Sequence, residues 1–417
     1  MNVGTVISGD DTPNSSNFSF VSTKDYVPFL GDFLESQGVV GQVVEIRKKN
    51  SLYEDPSTVS EFHNISKDFP EDDYHNLIVD CIILSPGEVI TPKPGSVVVK
   101  VSEDKLSKIL GLNETGLNLG KVIGSNLDAK VKMSRLIQKH LALLAMSGAG
   151  KSNLAAVLIE EMLERKKQDG RPAVVVLDLH GDYKGFASSP EYAEKTKVID
   201  MSQSKVSVDR LNPRNLEKWS GASEGAIVEY SKIFKEFQGQ EDRSFEKLND
   251  LVKNSGINPK TLMSLESSLN ELNELDVFAS REEQLNRLVK NGSLLILDFT
   301  SVDDFRKLQL LASTYITQLY RLRKENKIPP LMLVVEEAHN YCPERAESDY
   351  LARNILETIA REGRKFGFSL CIISQRPNRL STTILSQCNS FCILRIMNPN
   401  DTKKIQESCE SLDYNYI

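Results

Sequence analysis

Along the first 127 residues the apolar positions come in short runs broken by turn formers. GQVVEIRK at 41–48, LIVDCIIL at 77–84, and SVVVKVS at 96–102 after the turn-forming TPKPG are the clearest of these. Runs of this length, rich in β-branched residues and bounded by Gly, Pro, Asn and Asp, predict strands of a small β-barrel or sandwich. Between the first two runs, NSLYEDPSTVSEFHNISKDFPEDDYHN at 50–76 is polar and irregular and reads as a solvated excursion.

From residue 128 the pattern changes. Six apolar segments, Leu141 to Ala145, Ala173 to Asp178, Leu294 to Phe299, Leu331 to Glu336, Ser369 to Ser374 and Phe391 to Ile396, alternate with stretches of helical periodicity. AVVVLD, LLILDF and LMLVVE are apolar at successive positions, as strands covered on both faces must be. The prediction is an α/β domain with a doubly wound parallel sheet. Between 211 and 291, segments such as SEGAIVEYSKIFKEF and KTLMSLESSLNELNEL read as a helical insertion between two sheet strands. The expected division is therefore 1–127 and 128–417.

The segment LALLAMSGAGKSNLAAV joins a buried strand to a long helix through a loop of small residues. It matches the phosphate-binding pattern G-x-x-x-x-G-K-[ST] except that Ala145 stands at the first glycine. That position ends the strand, so alanine is acceptable there provided its φ is negative. Ser147, Gly148, Ala149, Gly150, Lys151, Ser152 and Asn153 are the candidate nucleotide contacts. Backbone N–H groups would surround the phosphates, Lys151 would reach the β and γ groups, and Ser152 would offer its hydroxyl to Mg2+. The cofactors expected are ATP and Mg2+.

A carboxylate pair, Glu336 and Glu337, ends the run LMLVVE. Glu336 is the candidate for the magnesium shell and Glu337 the candidate base for the attacking water. VVVLDLHGDY adds Asp178, read equally as a magnesium-shell ligand or as a turn cap, with His180 and Asp182 close by. ISQRP offers Gln375 as a γ-phosphate sensor.

Composition narrows the setting. No run of about 18 apolar residues occurs and the N-terminus lacks a secretory layout, so no membrane span and a cytoplasmic location are expected. The six cysteines form no C-x-x-C pair, which favours thiols over zinc or disulfides. A net charge of −7 argues against a surface that coats DNA and leaves room for a basic patch confined to a channel.

Taken together, SGAGKSN, VVVLDLHGDY, VVEEAHNYCPE and IAREGRKFGFSLCIISQRPNRLSTTILSQCNSFCILRIMNPND resemble the blocks of the HerA family, in that family's order. HerA proteins form one branch of the HerA/FtsK ring ATPases. The resemblance spans roughly residues 120 to 405, and the N-terminal third resembles the HAS barrel that precedes the motor in that family. It implies a RecA-like P-loop ATPase core, a homo-hexamer, and double-stranded DNA in a central channel. It further implies an arginine finger from the neighbouring subunit, for which ETIAREGRKFG supplies Arg361 first and Arg364 second. Lys139 resembles a basic nucleotide-sensing position of the family, and Lys184 is a candidate pore residue.

A separately encoded partner, a nuclease or an NAD-consuming effector docked on the barrel, is implied in either antiviral defence or DNA end processing. A ring that binds ATP chiefly to organise such effectors is the alternative reading. Two departures stand out: Glu336 occupies a place where the family often has Asp, and the chain ends soon after NPND, where members commonly continue.

Overall fold

Phe18 and Phe20, two positions apart on β2 (Asn17–Ser22), are both fully buried and turn one face of that strand into the centre of a barrel. Around it run β1 (Asn2–Val6), β3 (Phe33–Ser36), β4 (Val39–Asn50), β5 (His75–Ile83) and β6 (Val97–Lys100). The six strands close in the order β1-β2-β5-β4-β3-β6, with β6 returning to β1, and every pairing is antiparallel. Val3, Val6, Leu34, Val43, Val79, Cys81 and Val98 complete the core.

Two glycines make room for the rings. A Cβ on Gly4 would lie 2.3 Å from Phe20, and one on Gly41 would lie 2.6 Å from Phe18. Closure leaves no exposed strand edge in the barrel. A helix (Glu103–Leu110) and a hairpin of β7 (Leu112–Lys121) and β8 (Asp128–Val131) follow. The computed structural model describes residues 2–9, 12–50, 75–84, 91–137, 139–345 and 349–409. Most of the polar stretch at 50–76 lies outside them. The described residues form two compact units that meet in sequence between Lys132 and Met133.

In the second unit β9 (His140–Leu144), β10 (Ala173–Asp178), β11 (Thr196–Asp200), β14 (Leu294–Asp298), β15 (Leu331–Val335), β16 (Phe368–Ser374) and β17 (Cys388–Ile393) form one sheet. Its order is β11-β14-β10-β15-β16-β9-β17 and every pairing is parallel. All residues of β9, β10, β14, β15 and β16 are buried, which is why they are legible as unbroken apolar runs. β11, with the sequence TKVID, forms the sheet edge and buries little beyond its first residue, so it carries no such signal.

Between β11 and β14, which are neighbours in the sheet, lie four longer helices, Pro213–Ser220, Glu224–Gln238, Phe245–Lys253 and Pro259–Glu274, and the short helix Leu285–Leu288. The first and last of the four begin with Asn-Pro, where the Asn212 and Asn258 side chains accept from N–H groups of the first turn and the proline occupies a position that needs no N–H. Trp219, Tyr230, Phe234, Phe237, Leu248 and Leu269 belong to the same buried cluster as the sheet residues. The insertion is thus packed into the core. It also contributes β13 (Phe278–Ala279), a two-residue strand paired with β12 (Val206–Ser207), where helix and loop alone were expected.

Because all strands of the sheet run the same way, it has one edge of C-terminal strand ends and one of N-terminal ends. Ligands of open α/β sheets bind at the C-terminal edge. The two edges sort the candidate residues.

Candidate ATPase site at the carboxyl edge of the sheet

The loop after β9 is pinned between its two neighbouring strands. Ala145 N donates to Ser374 O at 3.3 Å and Met146 N to Arg395 O at 2.9 Å. Gly148 and Gly150 then take φ of +75° and +94°, the left-handed region open to glycine. The helix Lys151–Glu164 starts there, with Leu154 N donating to Gly150 O. Ala145 is buried and is not among the residues with positive φ, so its methyl meets no backbone penalty.

Glu337 is itself left-handed, with φ +43° and ψ +51°, a costly conformation for a residue with a side chain. That turn sets it apart from Glu336. Glu337 Oε1 lies 3.7 Å from Lys151 Nζ, while its Oε2 accepts from Gln375 N at 3.3 Å and lies 3.3 Å from His339 Nδ1. The structure therefore brings Lys151, Glu337 and the start of the Gln375 loop together.

Glu336 turns toward the end of β10, where its Oε2 accepts from Leu179 N. Burial, followed by the charges of Asp178 and Asp182, pushes its carboxyl up to about 8. Asp178 is fully buried and already committed: Oδ1 accepts from the N–H groups of His180, Gly181 and Asp182, and Oδ2 from that of Tyr183. Of its two sequence readings, the turn cap is the one this geometry supports.

Among the described residues no three His, Cys, Asp or Glu side chains converge as a metal cage. Ser152, one residue into the P-loop helix, and Glu336 carry hard oxygen donors and are the residues that would hold Mg2+, which keeps waters and phosphate oxygens in its shell.

At the opposite edge stand Lys139, immediately before β9, and Arg361 and Arg364, just before β16. A strand of five residues puts roughly 15 Å or more between the edges, so the structure does not bring these three to their own P-loop. Arg361 is exposed in the last turn of the helix Arg353–Glu362. Arg364 lies past that helix, in the 3-10 turn Gly363–Phe366, so the two do not share a helix face. His140 fixes this corner: its Nδ1 accepts from Leu370 N and its Nε2 donates to Ala360 O, each at 2.9 Å. Burial lowers the pKa of its imidazole, in keeping with that neutral tautomer. Lys184 is tied to Asp298 Oδ2 at 2.6 Å and to Thr300.

Sequence reasoning missed His339. It bridges Glu337 and Ser374, its Nδ1 lying 3.2 Å from the Ser374 hydroxyl. Its position two residues after the carboxylate pair was a usable signal.

A strand, a glycine-turned loop and a Lys-Ser helix start, facing an acidic strand end in an all-parallel sheet, define a P-loop ATPase of the RecA-like type. The Helicase HerA central-domain family matches residues 117–319. The chain is 27% identical to the DNA double-strand break repair helicase HerA of Pyrococcus furiosus, over 98% of this chain and 86% of that protein. It is 28% identical to the HerA of Sulfolobus acidocaldarius, over 78% and 68%. The structure of VirB4 of Thermoanaerobacter pseudethanolicus has the same fold, with a TM-score of 0.55 at 16% identity over 73% of this chain and 90% of that one. Over nearly its whole length the chain is similar to HerA helicases. Among the described residues no helix is long and apolar enough to cross a membrane.

Proposed function

We propose that copies of this chain assemble into a hexameric ring that hydrolyses ATP to drive double-stranded DNA through its centre. The observation that carries this is the split of the site: Lys151, Ser152, Glu336, Glu337 and Gln375 gather at the carboxyl edge, while Arg361 and Arg364 stand at the other. An arginine there meets a triphosphate only on a neighbouring copy, and Lys139 shares that placement. The relatives named as DNA repair helicases support DNA as the track.

In this reading the loop amides and Lys151 hold the β and γ phosphates, and Gln375 contacts the γ group. Glu337 takes a proton from the water that attacks the γ-phosphorus as the bond to the β-phosphate oxygen breaks. Mg2+ held by Ser152 and Glu336 would neutralise charge on the phosphates. DNA contacts are to the backbone, so binding is independent of base sequence and falls steeply with salt.

A separately encoded nuclease or NAD-consuming effector docks on the barrel, serving antiviral defence or end processing. Mass measurement of the chain purified with its genomic neighbour reports ring size and partner together. The motor reading is tested by ATP turnover with and without duplex DNA. Acceleration by duplex is expected, and a rate indifferent to DNA would favour the scaffold alternative.

Glu337→Gln should keep ATP binding and lose hydrolysis, leaving an ATP-loaded ring in a nucleotide-retention assay. If Glu336→Gln shows that pattern and Glu337→Gln loses metal dependence, the two roles are exchanged. Ala145→Gly should leave turnover within a few-fold of the parent, because the alanine backbone is already unstrained. A large gain would mean that the missing glycine limits the site.

A further inference from the structure

Beside Glu337 the carboxyl edge carries a pocket of about 560 Å³ lined by His339, Glu344, Arg345, Tyr350, Arg376 and Arg379. Its one carboxylate is engaged: Glu344 accepts from Thr382 N at 2.6 Å and Thr382 Oγ1 at 2.7 Å, and Lys404 Nζ approaches it at 3.6 Å. Among the described residues no carboxylate lies within ion-pair distance of Arg345, Arg376 or Arg379, all three of which are exposed. Three guanidinium groups around one cavity, none of them paired with a carboxylate among the described residues, suit a phosphate, which accepts paired N–H donors.

We propose that this pocket binds a backbone phosphate of the duplex and that His339 relays its occupancy to Glu337. The proposal rests on the reading of the chain as a duplex translocase and names where the track touches the motor. His339 is a positioning residue, since it acts through Glu337. A neutral imidazole has one N–H donor and one acceptor. With the pocket empty, Nδ1 carries the proton and lies 3.3 Å from Glu337 Oε2, so the N–H dipole attracts the carboxylate without a formed hydrogen bond.

A phosphate in the pocket takes its hydrogen bond from the other ring nitrogen and thereby makes Nδ1 the acceptor. The Ser374 hydroxyl, which already receives Arg376 N at 3.0 Å, then donates to Nδ1 across 3.2 Å. Glu337 is released to meet water. DNA in the pocket thus switches the base on through one tautomer change, and the Arg376 backbone belongs to the same network as the Arg376 side chain that recruits the phosphate.

The test uses the full chain, a short fluorescent duplex for anisotropy across a salt series, a fluorescent ATP analogue, and ATP turnover with and without duplex. The Arg376→Ala, Arg379→Ala double variant should bind duplex more weakly, with the salt slope reduced by about one for each phosphate that no longer meets a guanidinium. His339→Ala should bind duplex more weakly but with the parental salt slope, since no guanidinium is lost, keep its KM for ATP, and at saturating duplex show a DNA-bound to DNA-free kcat ratio near one. His339→Asn retains an atom at the Nδ1 position but none facing as the second ring nitrogen does, so it should lose the ratio too, and it guards against a folding defect in the alanine variant.

Unchanged duplex affinity and slope in the double arginine variant would overturn the site. Weakened analogue binding with unchanged duplex binding would overturn it in favour of a neighbour's nucleotide as the phosphate source. A parental kcat ratio in both His339 variants would overturn the relay. If the parent protein neither binds duplex nor responds to it, the translocase reading itself falls, and this site with it; that failure is visible without any variant.

Discussion

Replacement of Lys151 by alanine is expected to abolish ATP hydrolysis, with kcat/KM lower by at least about 10²–10³, the cost of deleting one pre-organised charge at a phosphoryl centre. The amine sits where the P-loop helix begins and is almost enclosed, with Glu337 Oε1 3.7 Å away. ATP must displace that contact, so the cation is presented to the incoming phosphates at close range. Binding of a fluorescent ATP analogue should weaken together with turnover, because the charge serves the bound ground state as well as the transition state. Turnover close to that of the parent would remove the P-loop assignment, and with it the rest of the site.

Arg361→Ala should separate binding from turnover. The side chain is exposed at the N-terminal edge of its own sheet, so its loss leaves the resident P-loop intact and ATP binding normal. Hydrolysis should fall by a factor on the order of 10³ or more, as for other arginine fingers. Mixing Arg361→Ala with Glu337→Gln subunits, once exchange is verified, creates interfaces where an intact Glu337 meets an intact Arg361, and turnover absent from either pure ring should return. Properly mixed rings that stay silent would mean that Arg361 acts within its own subunit or that every site must work at once. Activity of Arg361→Ala alone, with recovery in an Arg364→Ala and Glu337→Gln mixture, would move the finger to Arg364.

Much of the motor is visible before any folding is considered, because its signals are local. A strand buried on both faces must be apolar at every position, and a loop that wraps phosphates must be small and end in Lys-Ser. The edge strand β11 and the barrel strands β1, β2 and β3 escaped for the converse reason. They are short or half-exposed, and what makes them strands is pairing with segments distant along the chain. Even Gly4 and Gly41, which look like strand breakers, are required by the rings of Phe20 and Phe18.

The order of residues alone determined the α/β class, the insertion, the phosphate loop and the acidic pair. Tertiary structure decided how those parts divide the work. The adjacent carboxylates are chemically equal in sequence; a left-handed turn at Glu337 sends it to Lys151 and leaves Glu336 beside Asp178. Asp178 became a turn cap because four N–H groups of the following loop fold back onto it. His339 joined the site through Ser374, 35 positions away. Which edge of the sheet a basic residue occupies depends on the strand end at which it stands. That is a property of parallel strand order, set by pairings between segments up to hundreds of residues apart, and no local pattern carries it.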